Sequence, residues 1–271
     1  MTESLPESLR ALRKSIPAVR VECAADPADA QRLLHDGTDI EGEVTGFRAA
    51  DLVDGSAAGE LIELHARHRG MPVGRHAASL VFQRYSHRLC GAGALAWVEY
   101  GWVPDLTADN VGVRFVDGSP HTVVLSRPRL AGTTAEDLVR IVVDEHLLPV
   151  ARAMRKAGGP GLPNLLGNVA AGFAGAFRTM SRDRPAHLVA ERAESVLGVD
   201  PRLERGGSFR TLLGPLGERL QYDRASCCHW YAAPDGKYCS WCSRLSHDER
   251  TARFCANMAD EAGAVSSARA R

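Results

Sequence analysis

The chain reads as an α+β protein with a mainly helical body, and three features of its 271 residues point there. Apolar residues recur at helical spacing through several long tracts. That period gives way around Asp117-Gly118 to two short β-branched runs, which read as a small antiparallel β-hairpin. Four of the seven cysteines then fall within residues 227–242, a short C-terminal segment with neither period. With 45% hydrophobic residues and zero net charge, the chain has material for a sizeable core. The same balance gives no support to attraction for nucleic acid.

Residues 1–27 read as a loosely tethered leader with a short strand at Val19–Cys23. A helix is expected over Ala28–Leu34, closed by Asp36-Gly37. Leu61, Ile62 and Leu64 place another over Ser56–His68, with Gly70 suited to a left-handed cap. The tract His76–Trp97 carries Leu80, Val81, Tyr85 and Leu89 on one face, and Gly91 and Gly93 are expected to divide it. Residues 110–116 and 121–126 are the two strands of the hairpin. Helical spacing resumes from Ala135 to Lys156, with a bend at Pro149 and a stop at Gly158-Gly159-Pro160. Leu165–Met180 is a helix whose small residues admit a close neighbour, and Pro185–Leu197 is another with proline in its first turn. Residues 198–222 show no single period, and Gly206-Gly207 marks a boundary. Ser246-x-x-Glu249 is a capping box that opens a helix to Ala262. Residues 263–271 are small and polar and read as a disordered tail.

Residues 1–17 mix acids and bases without an apolar segment, unlike a secretory signal or transit peptide. The most apolar stretch, Leu165–Phe177, falls short of the ~20 residues that span a bilayer. A cytoplasmic location without a transmembrane segment is therefore expected, and clustered cysteines in that compartment signal metal or redox chemistry. Their array is Cys227-Cys228, ten residues, then Cys239-x-x-Cys242. Adjacent cysteines on an extended chain point to opposite faces, which is awkward for one small ion. A two-iron cluster spreads four terminal thiolates over two metals. Pro234-Asp235-Gly236 is a turn signal, and a hairpin there would fold the second pair back on the first. Trp230, Tyr231, Tyr238 and Trp241 would then limit water around the site. Structural zinc also uses four thiolates, usually as two spaced pairs, and stays open on spacing. A CxxC dithiol leaves Cys227-Cys228 unexplained, the compartment disfavours a disulfide, and Rieske ligation needs a second histidine beside His229.

The CC-x10-CxxC array near the C-terminus, after a mainly helical body, resembles that of the FhuF-like ferric siderophore reductases. Looser matches run through Tyr85 and Gly101, Pro104-Asp105-Leu106, Asn110 and Leu166-Gly167-Asn168. The resemblance implies a 2Fe–2S cluster bound by Cys227, Cys228, Cys239 and Cys242, with no catalytic side chain beyond it. It implies one-electron reduction of a ferric siderophore, of hydroxamate type, which releases ferrous iron in the cytoplasm. No flavin or nicotinamide fingerprint is present, so a separate electron donor such as a ferredoxin or a reductase is expected. The resulting organisation is a leader (1–27), a mainly helical substrate-binding domain (28–205), a 2Fe–2S-binding domain (206–262) and a tail (263–271). Two other readings are an electron-transfer ferredoxin and a non-enzymatic siderophore-binding or interaction module with structural zinc.

Other candidates read as ordinary structure. His65 and His68, with Glu63, are expected on a solvated helix end, and Asp144-Glu145-His146 at the surface, because consecutive helical residues point apart. Gly167 and Gly172 lack the Lys-Ser/Thr of a phosphate loop and read as helix packing. Cys23, Cys90 and Cys255 read as buried or half-buried thiols, Cys255 being the one plausible substitute ligand. Trp97, Tyr100 and Trp102 form an aromatic patch at a helix end. No residue pattern locates the siderophore pocket.

Overall fold

The computed structural model describes residues 4–38 and 40–269. Helix accounts for 54% and strand for 16%, and the architecture is α+β. Helix α1 (Leu5–Ala11) leads through a 3-10 turn to β1 (Val21–Cys23). Then come α2 (Pro27–His35), β2 (Val44–Arg48), α3 (Ala49–Asp54) and α4 (Ala58–His68). The long α5 (Arg75–Tyr100) is followed by β3 (Val103–Pro104), β4 (Val111–Val116), β5 (Ser119–Leu125) and β6 (Leu130–Gly132). Helix α6 (Ala135–Val139) passes through a π-helical stretch, Arg140–Leu147, into α7 (Leu148–Lys156). The chain finishes with α8 (Leu162–Met180), α9 (Ala186–Leu197), α10 (Pro201–Glu204), β7 (Gly207–Gly214), β8 (Gly217–Arg224) and α11 (His247–Arg269).

The expected hairpin is β4–β5, with Val116 opposite Ser119 across Asp117-Gly118. Both turn residues have positive φ, 48° and 64°, the conformation that suits a tight right-twisted hairpin. It sits inside a four-stranded sheet of order β1-β5-β4-β2, in which β1 runs parallel to β5 and the other pairs are antiparallel. β1 belongs to the segment expected to be a loose leader. That expectation is corrected: Leu9 and Leu12 are buried and join the core, and Val21 faces Val123 in register.

Glycine does not divide α5. A Cβ at Gly91 would lie 2.8 Å from Val19, and one at Gly93 2.7 Å from Leu138. Both glycines admit close neighbours on an unbroken helix, and that packing offsets the ~1 kcal/mol each costs in helix propensity. Helix α8 uses the same device: Gly172 lies where a Cβ would be 3.1 Å from Cys90 Sγ. Pro149 falls in the first turn of α7, directly after the π-helical stretch. Within that stretch the Glu145 carbonyl accepts the Ala108 N–H at 3.3 Å.

The sequence reading passed over the short elements α1, β2, α3, β3, β6 and α10, and also a longer one. Residues 207–224 form the antiparallel hairpin β7–β8, in full register from Gly207↔Arg224 to Gly214↔Gly217. The capping box of α11 forms as expected, with Glu249 N–H donating to Ser246 Oγ and Ser246 N–H to Glu249. The helix then continues past Ala262 to Arg269, because its alanines and arginines favour helix; of the expected tail, residues 270–271 lie outside the described residues.

Candidate metal centre

Cys227 and Cys228 follow β8 closely, and β8 lies on α8. Gly167 makes that approach possible, since a Cβ there would lie 2.0 Å from Ser226 Oγ and 2.8 Å from Ser226 Cβ. Asn164, one turn before it, donates from Nδ2 to the Cys227 carbonyl at 2.7 Å and accepts from Ser79 Oγ at 3.0 Å. Asn168 accepts from Arg224 Nη2 at 2.6 Å and donates to the Ser79 carbonyl at 3.1 Å. A polar network thus ties α5, α8 and the cysteine segment together inside an apolar core. Arg224 is only 3% exposed, and its Nε and Nη1 have no partner among the described residues.

The turn at Pro234-Asp235-Gly236 forms, with Gly236 N–H donating to the Ala233 carbonyl at 2.8 Å. The flanking hairpin does not: Trp230–Ala232 is a 3-10 turn. His229 adopts a left-handed conformation, φ 66°, and swings the chain round immediately after Cys228. Its N–H donates to Cys227 Sγ at 3.4 Å, while its ring packs edge-on to His76 at 4.9 Å. Arg69 holds Asp235 at 2.5 Å and anchors the turn to the end of α4. In the second pair, Cys242 N–H donates to the Cys239 carbonyl at 3.1 Å and closes the CxxC turn.

All four thiols are free; Cys228 and Cys242 are each 6% exposed, and Cys227 and Cys239 are half-buried. The two halves of the array share one electrostatic neighbourhood, for Cys227 and Cys239 are each acted on by both Cys228 and Cys242. Burial pushes the Cys239 thiol up to about 11 and raises that of Cys227. Cations lie around them: Arg224 acts on Cys227 and Cys239, Arg84 on Cys228, Arg178 on Cys239 and Arg244 on Cys227. Among the described residues no group of three or more His, Cys, Asp or Glu converges as a site for a metal ion. The four cysteines thus share a neighbourhood with several arginines, and one of them accepts an N–H.

Of the four aromatics expected round the site, Tyr231 stacks under Arg244 at 4.2 Å and Trp241 under Arg178 at 4.4 Å. Trp230 is half-buried, whereas Tyr238 is exposed. Trp97, Tyr100 and Trp102 lie elsewhere, Trp97 donating to the Thr133 carbonyl and Tyr100 stacking on Trp102. Cys90 is buried with its Sγ toward the Val169 carbonyl, and Cys23 and Cys255 are half-buried.

Two readings as solvated surface are corrected. His65 is fully buried, and its Nδ1 donates to the Gly118 carbonyl at 2.7 Å, because the β4–β5 turn packs on α4. His68 is the surface member, paired to Glu43 at 2.9 Å, and Glu63 is exposed on another face. His146 is likewise fully buried: Nδ1 donates to the Leu106 carbonyl and Nε2 accepts from the Tyr85 hydroxyl at 2.6 Å. Asp144 and Glu145 do face outward, toward Arg202 and Arg140.

No family model and no curated protein matches the chain. Among solved structures the backbone is similar to that of ATP-bound aerobactin synthetase IucA from a hypervirulent pathotype of Klebsiella pneumoniae. The TM-score is 0.48 at 14% identity, over 69% of this chain and 40% of the synthetase, so the chain spans well under half of that protein. A likeness at this level bears on neither substrate nor reaction. Among the described residues no helix is long and apolar enough to cross a membrane.

Proposed function

We propose that the chain is a ferric siderophore reductase whose Cys227, Cys228, Cys239 and Cys242 hold a 2Fe–2S cluster. The observation that carries this reading is the set of four free thiols in one electrostatic neighbourhood, flanked by arginines. When bound, such a cluster supplies single electrons. The chain's own residues hold and shield it. Asn164 fixes the Cys227 backbone, the His229 N–H donates to Cys227 Sγ, and Arg224 offsets thiolate charge from within the core. Trp230 and Trp241 limit water at the site.

The substrate is ferric iron held by hard oxygen ligands, which bind the ferrous state far less tightly, so reduction by one electron labilises the chelate. The electron comes from a separate low-potential protein donor. In this reading residues 206–262 are the electron-transfer part and 28–205 bind the chelate. Protein purified without oxygen is expected to be red-brown, to bleach with dithionite and to contain about two irons and two sulfides per chain. Cys239→Ser should lose colour, iron and ferric-chelate reduction together. A colourless wild-type protein with one zinc per chain would overturn the reading, and a cluster that ferric siderophores fail to reoxidise would reduce it to a ferredoxin.

A further inference from the structure

A second feature lies beside the CxxC turn. Helices α5 and α8 and the segment Ile16–Val19 enclose a cleft of about 250 Å³ whose rim includes Trp241, one of the two residues between Cys239 and Cys242. Its floor is bare because Gly172 and Gly175 carry no side chain; a Cβ at Gly175 would meet Trp241 at 3.4 Å and the His87 ring at 3.6 Å. His87, Arg88 and Arg178 line the walls.

Arg178 stacks on Trp241 and Phe254, but among the described residues these three side chains have few hydrogen-bond or ion-pair partners. His87 Nε2 and Arg178 Nε are buried without a hydrogen bond among the described residues. Arg88 donates from Nε to the Pro120 carbonyl at 2.9 Å, and neither it nor Arg178 is ion-paired among the described residues. The carboxylate that acts on Arg178, Glu261, is taken by Arg182 at 2.6 Å. Burial accordingly pushes both guanidiniums down to about 10, with Arg20 and Arg84 adding to the effect at Arg88. Buried cations without counter-ions are costly, and a ligand carboxylate that accepts from a guanidinium fork removes the cost. The cleft is smaller than the ~300–1,000 Å³ of a pocket for a whole ligand of drug size. It has room for one arm of a larger chelate.

The geometry points to this cleft as the subsite for a carboxylate arm of the ferric chelate, with the Arg88 and Arg178 guanidiniums as its donors and the His87 ring and Trp241 against its body. The substrate class is therefore an anionic, carboxylate-bearing ferric chelate rather than a neutral or cationic trihydroxamate. This rests on the reductase reading for the identity of the ligand, but not for the presence of the anion site. Arg178 also acts electrostatically on Cys239, so a ligand seated here lies next to the thiol set.

The test uses redox-inert gallium(III) complexes, which report binding without electron transfer. Full-length wild-type protein is titrated calorimetrically with gallium citrate and with gallium desferrioxamine B, a trihydroxamate that bears an ammonium. Gallium citrate should bind at least about tenfold more tightly, and Arg178→Gln and Arg88→Gln should each weaken it about tenfold. Gly175→Leu should abolish binding by filling the floor, and Arg178→Lys should retain part of it. Iron content and circular dichroism establish that each variant is folded. Equal affinity for the two complexes, or citrate affinity unchanged in both arginine variants, overturns the subsite. Charge-selective binding by a protein that holds no iron would leave the anion site standing and sink the reductase; an iron-loaded protein indifferent to charge would do the reverse.

Discussion

Replacing Gly167 with alanine is the sharpest single perturbation of the cysteine mount. The new methyl would stand 2.0 Å from Ser226 Oγ and 2.8 Å from Ser226 Cβ, so rotating the hydroxyl aside relieves only the first clash. The backbone that carries Cys227 must move off α8. Overpacking of this kind costs about 1–3 kcal/mol, and losing the Asn164–Cys227 hydrogen bond adds about 1 kcal/mol. Alanine returns about 1 kcal/mol through helix propensity. The net loss of global stability is therefore modest, about 1–3 kcal/mol, while the displacement concentrates where the thiols are set. Gly167→Ala should lower the urea midpoint and cut bound iron per chain more steeply than it cuts stability. Because Ser226 Oγ has no hydrogen-bond partner among the described residues, Ser226→Gly removes the clash at little cost. The double variant should regain both iron and stability, giving a favourable coupling of about 1–3 kcal/mol in the mutant cycle. If Gly167→Ala alone keeps wild-type iron content and midpoint, or if Ser226→Gly fails to rescue it, α8 does not set the position of the cysteine segment.

Three further outcomes follow from contacts already described. Burial holds His146 at about 4, below its unfolded value, so the unfolded chain takes up the proton first as pH falls. Its contribution is fully present above about pH 6.5, is lost between there and pH 4, and amounts to about 3 kcal/mol. Urea midpoints measured across that range should fall for the wild type more than for His146→Gln, and parallel curves would refute the assignment. At the left-handed position, His229→Gly should keep bound iron whereas His229→Val should lose most of it, since a β-branched residue resists that φ; equal iron in the two variants would remove the constraint. Asn168→Ala strips the hydrogen-bonded partner from buried Arg224 and should cost about 1.5–3 kcal/mol in denaturant unfolding. Asn168→Ala combined with Arg224→Met should recover most of it, and no recovery would mean that Arg224 is not the group left stranded.

What the sequence made legible was local. The Asp117-Gly118 turn, the Ser246–Glu249 capping box and the Leu61–Leu64 helix each declare themselves within a few residues, and each is present. The glycines of α5 were misread because a glycine that breaks a helix and one that admits a neighbour look alike until Val19 and Leu138 are seen against them. His65 and His146 looked solvent-facing because their partners, the Gly118 and Leu106 carbonyls, lie 53 and 40 residues away. The β7–β8 hairpin did leave a signal, a Gly214-Pro215-Leu216-Gly217 turn between two short runs, which was passed over. The candidate site divides the same way. Its cysteines are a pattern in 16 consecutive residues, whereas the mount made by Gly167, Asn164 and Asn168 exists only once α8 meets a segment roughly 60 residues further on.

The parallel pairing of β1 with β5 has a consequence for synthesis. Val21 leaves the ribosome about 100 residues before Val123, its partner, which at about 5–20 residues per second is a delay of roughly 5–20 seconds. Of the four strands of this sheet β5 is made last, so β1 waits through that delay with its backbone N–H and C=O groups unpaired. An uncovered edge is a template for any passing strand. The interval in which β1 is most exposed to mispairing thus falls before β5 is complete, and it closes ahead of the synthesis of the cysteine array.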